Sequence, residues 1–365
     1  MKRIATFALA LIFVLNIAGC GEFFPPDIFV PDNQNHYQDP IPPEPPEPPI
    51  PPDPPEPPEP ELPPVIDLGD VLTAEMLYSR GVFFYNVTRD YLVFAKNENE
   101  SMPPASTLKI MTALITLENV DDFTQSVEVP SVCFAEFDNG NPNNEGIALS
   151  GLDMFQDNLT YLDCLYALMM VSGNDASNVL AYNAGGGNIR TFIDMMNMKA
   201  YELGAENTNF DNAHGLHTPK NYSSARDMFL ITRYVYEKFP FFTELTTSLH
   251  YTMPANSRYS DGYSIRSGNI FGNREGNIYY TEYAEGVKTG SLDYVYDVIG
   301  GVWVEVGGVT SLVSRAFFND ELYIAVTLCA PYFYGPYNDE DGNMIAARMH
   351  YTFLDHKLLY ETAFG

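Results

Sequence analysis

A proline-rich, acidic stretch near the start of the chain decides where folding can begin. Residues 21–64 hold 19 of the chain's 28 prolines and no lysine or arginine. Such a composition favours extended polyproline II and cannot bury a hydrophobic core. At about 3.1 Å per residue, it could reach on the order of 140 Å. We therefore predict a tether over residues 20–64, disordered or polyproline II, or alternatively a proline-motif ligand for a partner domain.

The first twenty residues, MKRIATFALALIFVLNIAGC, have the layout of a secretory signal. Lys2 and Arg3 precede an apolar run over residues 4–18, which is followed by small residues. The run is short of the roughly 20 residues that a spanning helix needs, although an ordinary N-terminal anchor is the alternative. The segment IAGC resembles the lipobox of bacterial lipoproteins. That resemblance implies a signal peptide over residues 1–19, a lipid on Cys20, and an extracytoplasmic protein held on the bacterial membrane and facing the wall.

Composition excludes some functions and leaves others open. The 365 residues are 45% hydrophobic, so a sizeable core is possible, and the formal net charge is −29. Such a charge repels nucleic acid, so no nucleic-acid partner is expected. Three cysteines remain besides Cys20, namely Cys133, Cys164 and Cys329. Their spacing fits no zinc pattern, so no metal or cofactor is expected; at least one must be free, and one bridge is possible.

From residue 65 onward the pattern is that of a folded domain. Residues 81–100 read as two strands with a turn, and apolar spacing predicts helices over residues 106–120, 158–173, 188–204, 223–239 and 344–364. Strands are predicted over residues 295–308, 310–318 and 321–331. Strands at both ends with helices between them indicate an α+β fold. We expect an antiparallel sheet from about residues 70–130 and 285–365, flanked by helices, with an all-helical lobe inserted over about residues 131–284.

The segment PPASTLKIMTAL, residues 103–114, places Ser106 and Lys109 one helical turn apart. The two prolines are typical of residues that precede a helix start. The positive end of a helix and burial both disfavour a charged lysine there. A neutral lysine beside a serine hydroxyl is a base next to a nucleophile. An N-cap serine with a solvated surface lysine is the structural alternative.

A second polar group follows the apolar helix that ends near residue 171. Ser172, Gly173 and Asn174 combine a hydroxyl that can relay a proton with an amide that can hold a carbonyl or the lysine. A helix-capping turn is the structural alternative, since all three are turn formers. The triplet recurs at residues 267–269, where no core helix precedes it. We assign the functional role to the first copy and expect the second near the rim of the site.

A third group opens the run of strand patterns. Lys288 offers positive charge for a carboxylate, Thr289 offers a hydroxyl, and Gly290 lets a peptide approach an edge strand. An extended peptide can add to such an edge as an extra strand. A simple strand-end turn is the alternative.

In this order the three motifs resemble those of penicillin-binding proteins and class A β-lactamases. The stretches PPASTLKIMTALITLE, MMVSGNDASNVLA, ELGAENTNFDNAHGLH, YSSARDM and AEGVKTG are more closely similar to serine D-alanyl-D-alanine carboxypeptidases. The resemblance implies a β-lactamase/DD-peptidase-like fold over residues 65–365. It also implies removal of the terminal D-alanine from peptidoglycan stem peptides through a serine acyl-enzyme that β-lactams inhibit.

The resemblance implies a role for each matched residue. Ser106 would attack the carbonyl between two D-alanines, and Lys109 would take its proton. Ser172 would pass a proton to the leaving amine, and Asn174 would orient the peptide. The remaining matched residues serve the substrate: Lys288 and Thr289 would hold the carboxylate, Gly290 would admit the peptide, and the N–H groups of Ser106 and Ser291 would stabilise the oxyanion.

The chain departs from the pattern of this family at two places, which leaves other functions open. After Gly290 the chain continues with Ser291 and Leu292 where the family often has a bulky residue and then threonine. An arginine that some members place near the substrate carboxylate has no match between residues 331 and 347, so that Arg348 is the nearest candidate. The alternatives are a β-lactamase, which would need a loop glutamate not found here as E-x-x-L-N, and a non-catalytic wall-binding or antibiotic-trapping lipoprotein.

Overall fold

An antiparallel sheet forms the centre of the fold, with strands from both ends of the described chain. The computed structural model describes residues 65–137, 148–268, 271, 277–299, 302–338 and 344–365. The strands are β1 (Gly81–Asn86), β2 (Tyr91–Lys96), β3 (His250–Met253), β4 (Tyr263–Arg266), β5 (Ala284–Ile299), β6 (Val302–Phe318), β7 (Glu321–Asn338) and β8 (Met344–His350). The main sheet has the order β2-β1-β7-β6-β5, β8 pairs with β7, and β3 and β4 form a separate pair.

Seven α-helices accompany these strands in the part of the chain that is described. They are α1 (Lys109–Asn119), α2 (Tyr161–Met170), α3 (Asn174–Ala184), α4 (Ile189–Glu202), α5 (Ala225–Lys238), α6 (Pro240–Thr247) and α7 (Tyr351–Phe364). Local chemistry explains several of their starts. Thr160 and Asp163 form a capping box at α2, and the Ser224 hydroxyl accepts from the Asp227 N–H at α5.

Strand β1 is apolar at nearly every position because both faces of the sheet are covered. Phe83 lies 4.9 Å between ring centroids from Phe229 of α5, on the side of the helical lobe. Phe84 points the other way and lies 5.5 Å from Tyr360 of α7. Successive strand residues alternate between faces, so a run of large apolar residues marks a strand that is buried on both sides. The predicted hairpin over residues 81–100 is confirmed.

Strand β5 lies at one edge of the main sheet in the described part of the chain and carries the Lys288–Gly290 motif. Its register with β6 pairs Lys288 with Val313 and Gly290 with Ser311. Val313 belongs to the core cluster that the helical lobe forms. Because the residues of an antiparallel pair share a face, Lys288 points towards the helices that carry the other two motifs.

The predicted helix over residues 344–364 is wrong in its first third. Met344–His350 is strand β8, and the helix begins only at Tyr351. MIAARMH is rich in helix formers, but its seven residues pair with Tyr332–Asn338 of β7. Tertiary pairing overrides the local preference. Helices α3 and α6 were not predicted.

Other features bear on the remaining predictions. Cys133, Cys164 and Cys329 are all free thiols, so the bridge that the sequence left open is absent among them. No helix in the described ranges has the length and apolar character to cross a bilayer. Within those same ranges, His, Cys, Asp and Glu do not gather in threes as a metal ion would require. Residues 63–365 form one compact unit.

Candidate active site

Ser106 stands at the entrance of the helix that leads into the core. A 3-10 turn over Ala105–Leu108 precedes α1, and Ala105 has a φ of +54°. A non-glycine residue in this region is uncommon and is held there by its surroundings. Ser106 is partly exposed, whereas Lys109 is completely buried. The turn thus presents a hydroxyl to the cleft while its partner amine stays inside.

The amine of Lys109 has three close partners. Its Nζ lies 2.9 Å from Ser106 Oγ, 2.7 Å from Asn174 Oδ1 and 2.5 Å from the carbonyl oxygen of His214. A neutral amine has two N–H donors and one lone pair. The amide and carbonyl oxygens are acceptors only, so they take the two donors. The lone pair is then left for the hydroxyl proton of Ser106, which is the arrangement of a base and a nucleophile.

Burial is the main cause of the low basicity of this lysine. The pKa of Lys109 lies well below its usual value because burial penalises the ammonium form, and the nearby charge of Lys288 lowers it further. Asp175 opposes the shift but does not cancel it. The alternative of a solvated surface lysine, raised by the sequence, is therefore wrong.

Ser172 occupies the sharp connection between α2 and α3. Its φ is +60°, and Asn174 is the first residue of α3 and not part of a turn as expected. A Cβ on Gly173 would stand 2.7 Å from Ser150 Oγ, so a side chain at position 173 would collide with Ser150. The connection therefore sends Asn174 inwards to Lys109 and leaves Ser172 beside the edge strand.

Lys288 joins the second motif to the third. Its Nζ donates to Ser172 Oγ at 2.9 Å and to the Thr289 carbonyl at 2.7 Å. The side chain is 2% exposed, and burial lowers the pKa of Lys288 to about 7. An ammonium that donates to Ser172 Oγ leaves the hydroxyl proton of Ser172 free for another acceptor. Thr289 is partly exposed and Ser291 is exposed beside it.

Two glycines bring backbone close to the nucleophile. A Cβ on Gly290 would stand 2.9 Å from both Ala105 Cβ and Ser106 N. A Cβ on Gly215, whose φ is +90°, would stand 2.2 Å from Ala105 O and 3.0 Å from Ser106 N. The edge strand therefore passes close to the Ser106 amide. This approach suits the oxyanion site predicted between the N–H groups of Ser106 and Ser291.

The structure thus brings together the residues of all three predicted motifs. Sequence reasoning missed the carbonyl of His214 and the close approach of Gly215, although both lie in the DNAHGLH stretch that carried the family resemblance. Of the second Ser-Gly-Asn copy, Gly268 lies next to the end of α2, where its N–H donates to the Met170 carbonyl, and Asn269 lies outside the described residues. Cys20, the signal and the tether lie outside the described residues. Arg348 lies on β8 opposite Tyr334.

Solved structures with this architecture show which fold the chain has. The crystal structure of a Streptomyces DD-transpeptidase matches 80% of this chain and 99% of its own, with a TM-score of 0.62 at 22% identity. A D-alanyl-D-alanine carboxypeptidase structure from Mycobacterium tuberculosis matches 82% of this chain and 97% of its own, with a TM-score of 0.60 at 20% identity. The α+β, DD-peptidase-like fold predicted from the sequence is confirmed.

The family follows from the sequence itself. The family model described as D-alanyl-D-alanine carboxypeptidase matches residues 84–295, which span all three motifs. The chain belongs to the D-alanyl-D-alanine carboxypeptidase family. The predicted membership is confirmed.

Curated relatives match shorter or longer parts of the chain. The chain is 32% identical over 145 residues to the carboxypeptidase DacF of Bacillus subtilis, which is 39% of this chain and 35% of that protein. It is 29% identical over 225 residues to a D-alanyl-D-alanine carboxypeptidase of Streptomyces, or 60% of this chain and 74% of that one. DacD of Escherichia coli is 29% identical over 205 residues, 56% of this chain and 49% of its own length. The matched part is thus under half of the Bacillus and Escherichia proteins.

Proposed function

We propose that this chain is a serine-type D-alanyl-D-alanine carboxypeptidase. It removes the terminal D-alanine from peptidoglycan stem peptides, and β-lactams acylate it. The observation that supports this most is the pair of a partly exposed Ser106 hydroxyl and a buried Lys109 amine 2.9 Å away, beside an edge strand of the sheet. Family membership supports the choice of substrate.

The first half of the reaction forms an ester. The hydroxyl proton of Ser106 moves to the lone pair of Lys109 as Ser106 Oγ bonds to the carbonyl carbon between the two D-alanines. The carbonyl oxygen becomes an oxyanion, which the N–H groups of Ser106 and Ser291 stabilise. Loss of one such donor typically costs about 3–4 kcal/mol of transition-state stabilisation. The C–N bond then breaks while Ser172 gives its proton to the leaving amine, and the proton that Lys109 took from Ser106 passes to Ser172, so that the amine of Lys109 is neutral again before water enters.

The second half of the reaction hydrolyses the ester and regenerates the free enzyme. Water gives a proton to Lys109 and attacks the ester carbon, and the Ser106 oxygen leaves with a proton as the shortened peptide is released.

Asn174 holds the Lys109 amine in place through both halves, at 2.7 Å. Lys288 and Thr289 bind the terminal carboxylate, and Lys288 also orients Ser172. A β-lactam follows the first half, with its ring amide in place of the peptide bond.

Release of D-alanine from a stem pentapeptide tests this proposal. We expect the purified chain to release one D-alanine from each pentapeptide and Ser106→Ala to release none above background. Ser101→Ala is the matched control, because that exposed serine lies outside the site and should leave the rate unchanged. An active Ser106→Ala variant would contradict the proposal. Faster hydrolysis of penicillin than of the pentapeptide would identify a β-lactamase, and binding without D-alanine release would identify a non-catalytic protein.

We further propose that the chain acts outside the cytoplasm, anchored by a lipid on Cys20. The basic and apolar start of the chain and its lipobox-like IAGC support this, and the proline-rich residues 21–64 would then separate the domain from the membrane. Metabolic labelling with a fatty acid should mark the wild-type chain in the membrane fraction. The Cys20→Ser variant should lose the label, and an equally labelled variant would contradict the anchor.

A further inference from the structure

The carboxylate of Asp175 sits in a nest of donors from a loop that precedes α2. Its oxygens accept from the N–H groups of Ser150 at 2.8 and 3.0 Å, of Gly151 at 3.1 Å and of Leu152 at 3.2 Å. The Ser150 hydroxyl adds a bond of 2.7 Å. Gly151 has a φ of +86°, which turns successive N–H groups towards one point. Successive backbone N–H groups in such a turn bind anions, and here the anion belongs to the protein.

This nest closes over the second motif. Asp175 directly follows Asn174, whose own N–H donates to the carbonyl of Ala148 at 2.8 Å. On the other side, the Ser150 side chain fills the space that a Cβ on Gly173 would need. The loop is therefore hydrogen-bonded to α3 through the Asp175 carboxylate and the Asn174 N–H, and it packs against the turn that holds Ser172 at a φ of +60°.

The charge of Asp175 also acts on the base. Asp175 is 1% exposed. Lys109 is flanked by Lys288, by the imidazole of His214, whose pKa burial lowers, and by Asp175, and only Asp175 is negative among these groups. A buried negative charge favours the ammonium form of the lysine that has received the serine proton.

We infer that Asp175 is a positioning residue for acyl transfer, which clamps the Ser150–Leu152 loop onto the second motif and so fixes Ser172 and Asn174 in their working places. The inference rests on the proposed function, because it concerns the rate at which Ser106 is acylated. It assigns to Asp175 no contact with the substrate. An ordinary loop anchor would stabilise the fold without any effect on the chemistry, and this is the alternative that the experiment must separate.

The experiment compares two buried aspartates. Asp175→Asn replaces an acceptor with an amide that cannot accept every N–H of the nest. Asp163→Asn is the matched control, because Asp163 is 8% exposed and accepts from Thr160 and Tyr251 at the distant start of α2. The measurement is the second-order rate of acylation of the full chain by a fluorescent penicillin, with thermal unfolding recorded for both variants.

We expect both variants to unfold at lower temperature, but only Asp175→Asn to acylate more slowly, by about 10- to 100-fold, since small displacements at a reacting centre are costly. The acid limb of its pH–rate profile for acylation should also move to lower pH, because loss of the negative charge lowers the pKa of Lys109. Equal rates and equal pH profiles for the two variants would overturn the inference.

A second variant covers failure of Asp175→Asn to fold. Ser150→Ala removes one donor of the nest and keeps the charge, so we expect a slowing of about 3-fold or more with an unmoved pH profile. An unchanged rate would then overturn the inference. If the wild-type chain itself is not acylated at Ser106, the proposed function fails, and that outcome is distinct from a failure of the positioning role.

Discussion

Two of the serine–base pairs in the described part of the chain can be compared, because both share a hydrogen bond between a hydroxyl and a base but only one is arranged to react. In the cleft, Lys109 Nζ lies 2.9 Å from Ser106 Oγ. Between the sheet and α7, His356 Nδ1 lies 2.6 Å from Ser314 Oγ, and Thr327 Oγ1 lies 2.8 Å from the other ring nitrogen. A hydrogen bond between a hydroxyl and a base is common to both. Proximity of a base therefore does not by itself make a nucleophile.

Access and spare bonding capacity separate the two pairs. Ser106 is partly exposed and borders the edge strand β5, whereas Ser314 is 2% exposed and also bonds to Tyr360 at 2.5 Å. Burial lowers the pKa of His356 to about 3, so the ring stays neutral and joins two hydroxyls as a structural link. In the cleft, the same physical effect lowers the pKa of Lys109 and so favours its neutral form, but here the amine lies beside a hydroxyl that a substrate can reach.

Loss of the lysine should break the reactive pair most completely. We expect Lys109→Met to acylate with penicillin about 10²- to 10⁴-fold more slowly, because general-base catalysis by a placed side chain contributes this much. Stopped-flow fluorescence with a labelled penicillin would measure it. Lys199→Met is the control, since that lysine pairs with Glu118 and Glu202 away from the cleft. Similar rates for both variants would show that Lys109 is not the base.

A side chain at the edge strand should misplace the nucleophile by steric pressure. Gly290→Val would put a Cβ 2.9 Å from Ser106 N, so the strand or the turn must shift. We expect roughly 10²-fold slower acylation with little loss of stability, measured by the same assay and by calorimetry. Gly69→Ala serves as the control, because that exposed glycine would meet only Asp67 Oδ1, at 3.2 Å. Normal acylation by Gly290→Val would argue against a tight fit there.

The pH dependence should report the charge of the second lysine. Burial lowers the pKa of Lys288 to about 7, so its positive charge is present below that pH and is lost as the pH rises through it. We therefore expect the KM for a peptide with a free terminal carboxylate to rise above about pH 7, approaching about tenfold per pH unit. A KM that stays flat up to pH 9 would show that Lys288 does not bind the carboxylate as a cation.

Disruption of the buried Ser314–His356 pair should have the smallest effect on activity. Ser314→Ala leaves His356 and Tyr360 without their shared hydroxyl, which we expect to lower the free energy of unfolding by about 1–3 kcal/mol. Acylation should stay within about twofold of the wild type, and mass mapping should find the label on Ser106 only. A label on Ser314 would erase the distinction between the two regions.

The contrast also shows what the sequence could and could not predict. The resemblance of the three ordered motifs to a known family was enough to bring Ser106, Lys109, Ser172 and Lys288 into one prediction, and alternating or helical apolar patterns predicted most core elements. Strand β8 was missed because its pairing with β7 is a tertiary effect that local helix preference hides. The contact between Lys288 and Ser172 was missed for the same kind of reason, since 116 residues separate them. Nothing local marks Ser314 and His356 as partners either.

The titration of one amine tests the central claim most directly. With lysine labelled with ¹³C at Cε, and with Lys109→Met to assign the signal, NMR can follow the protonation of Lys109 in the folded chain. We predict that its signal titrates well below the 10.5 typical of lysine, because burial and Lys288 disfavour the ammonium. A midpoint at or above 10.5 would mean that Lys109 is a cation in the resting site, which would contradict its role as the base for Ser106.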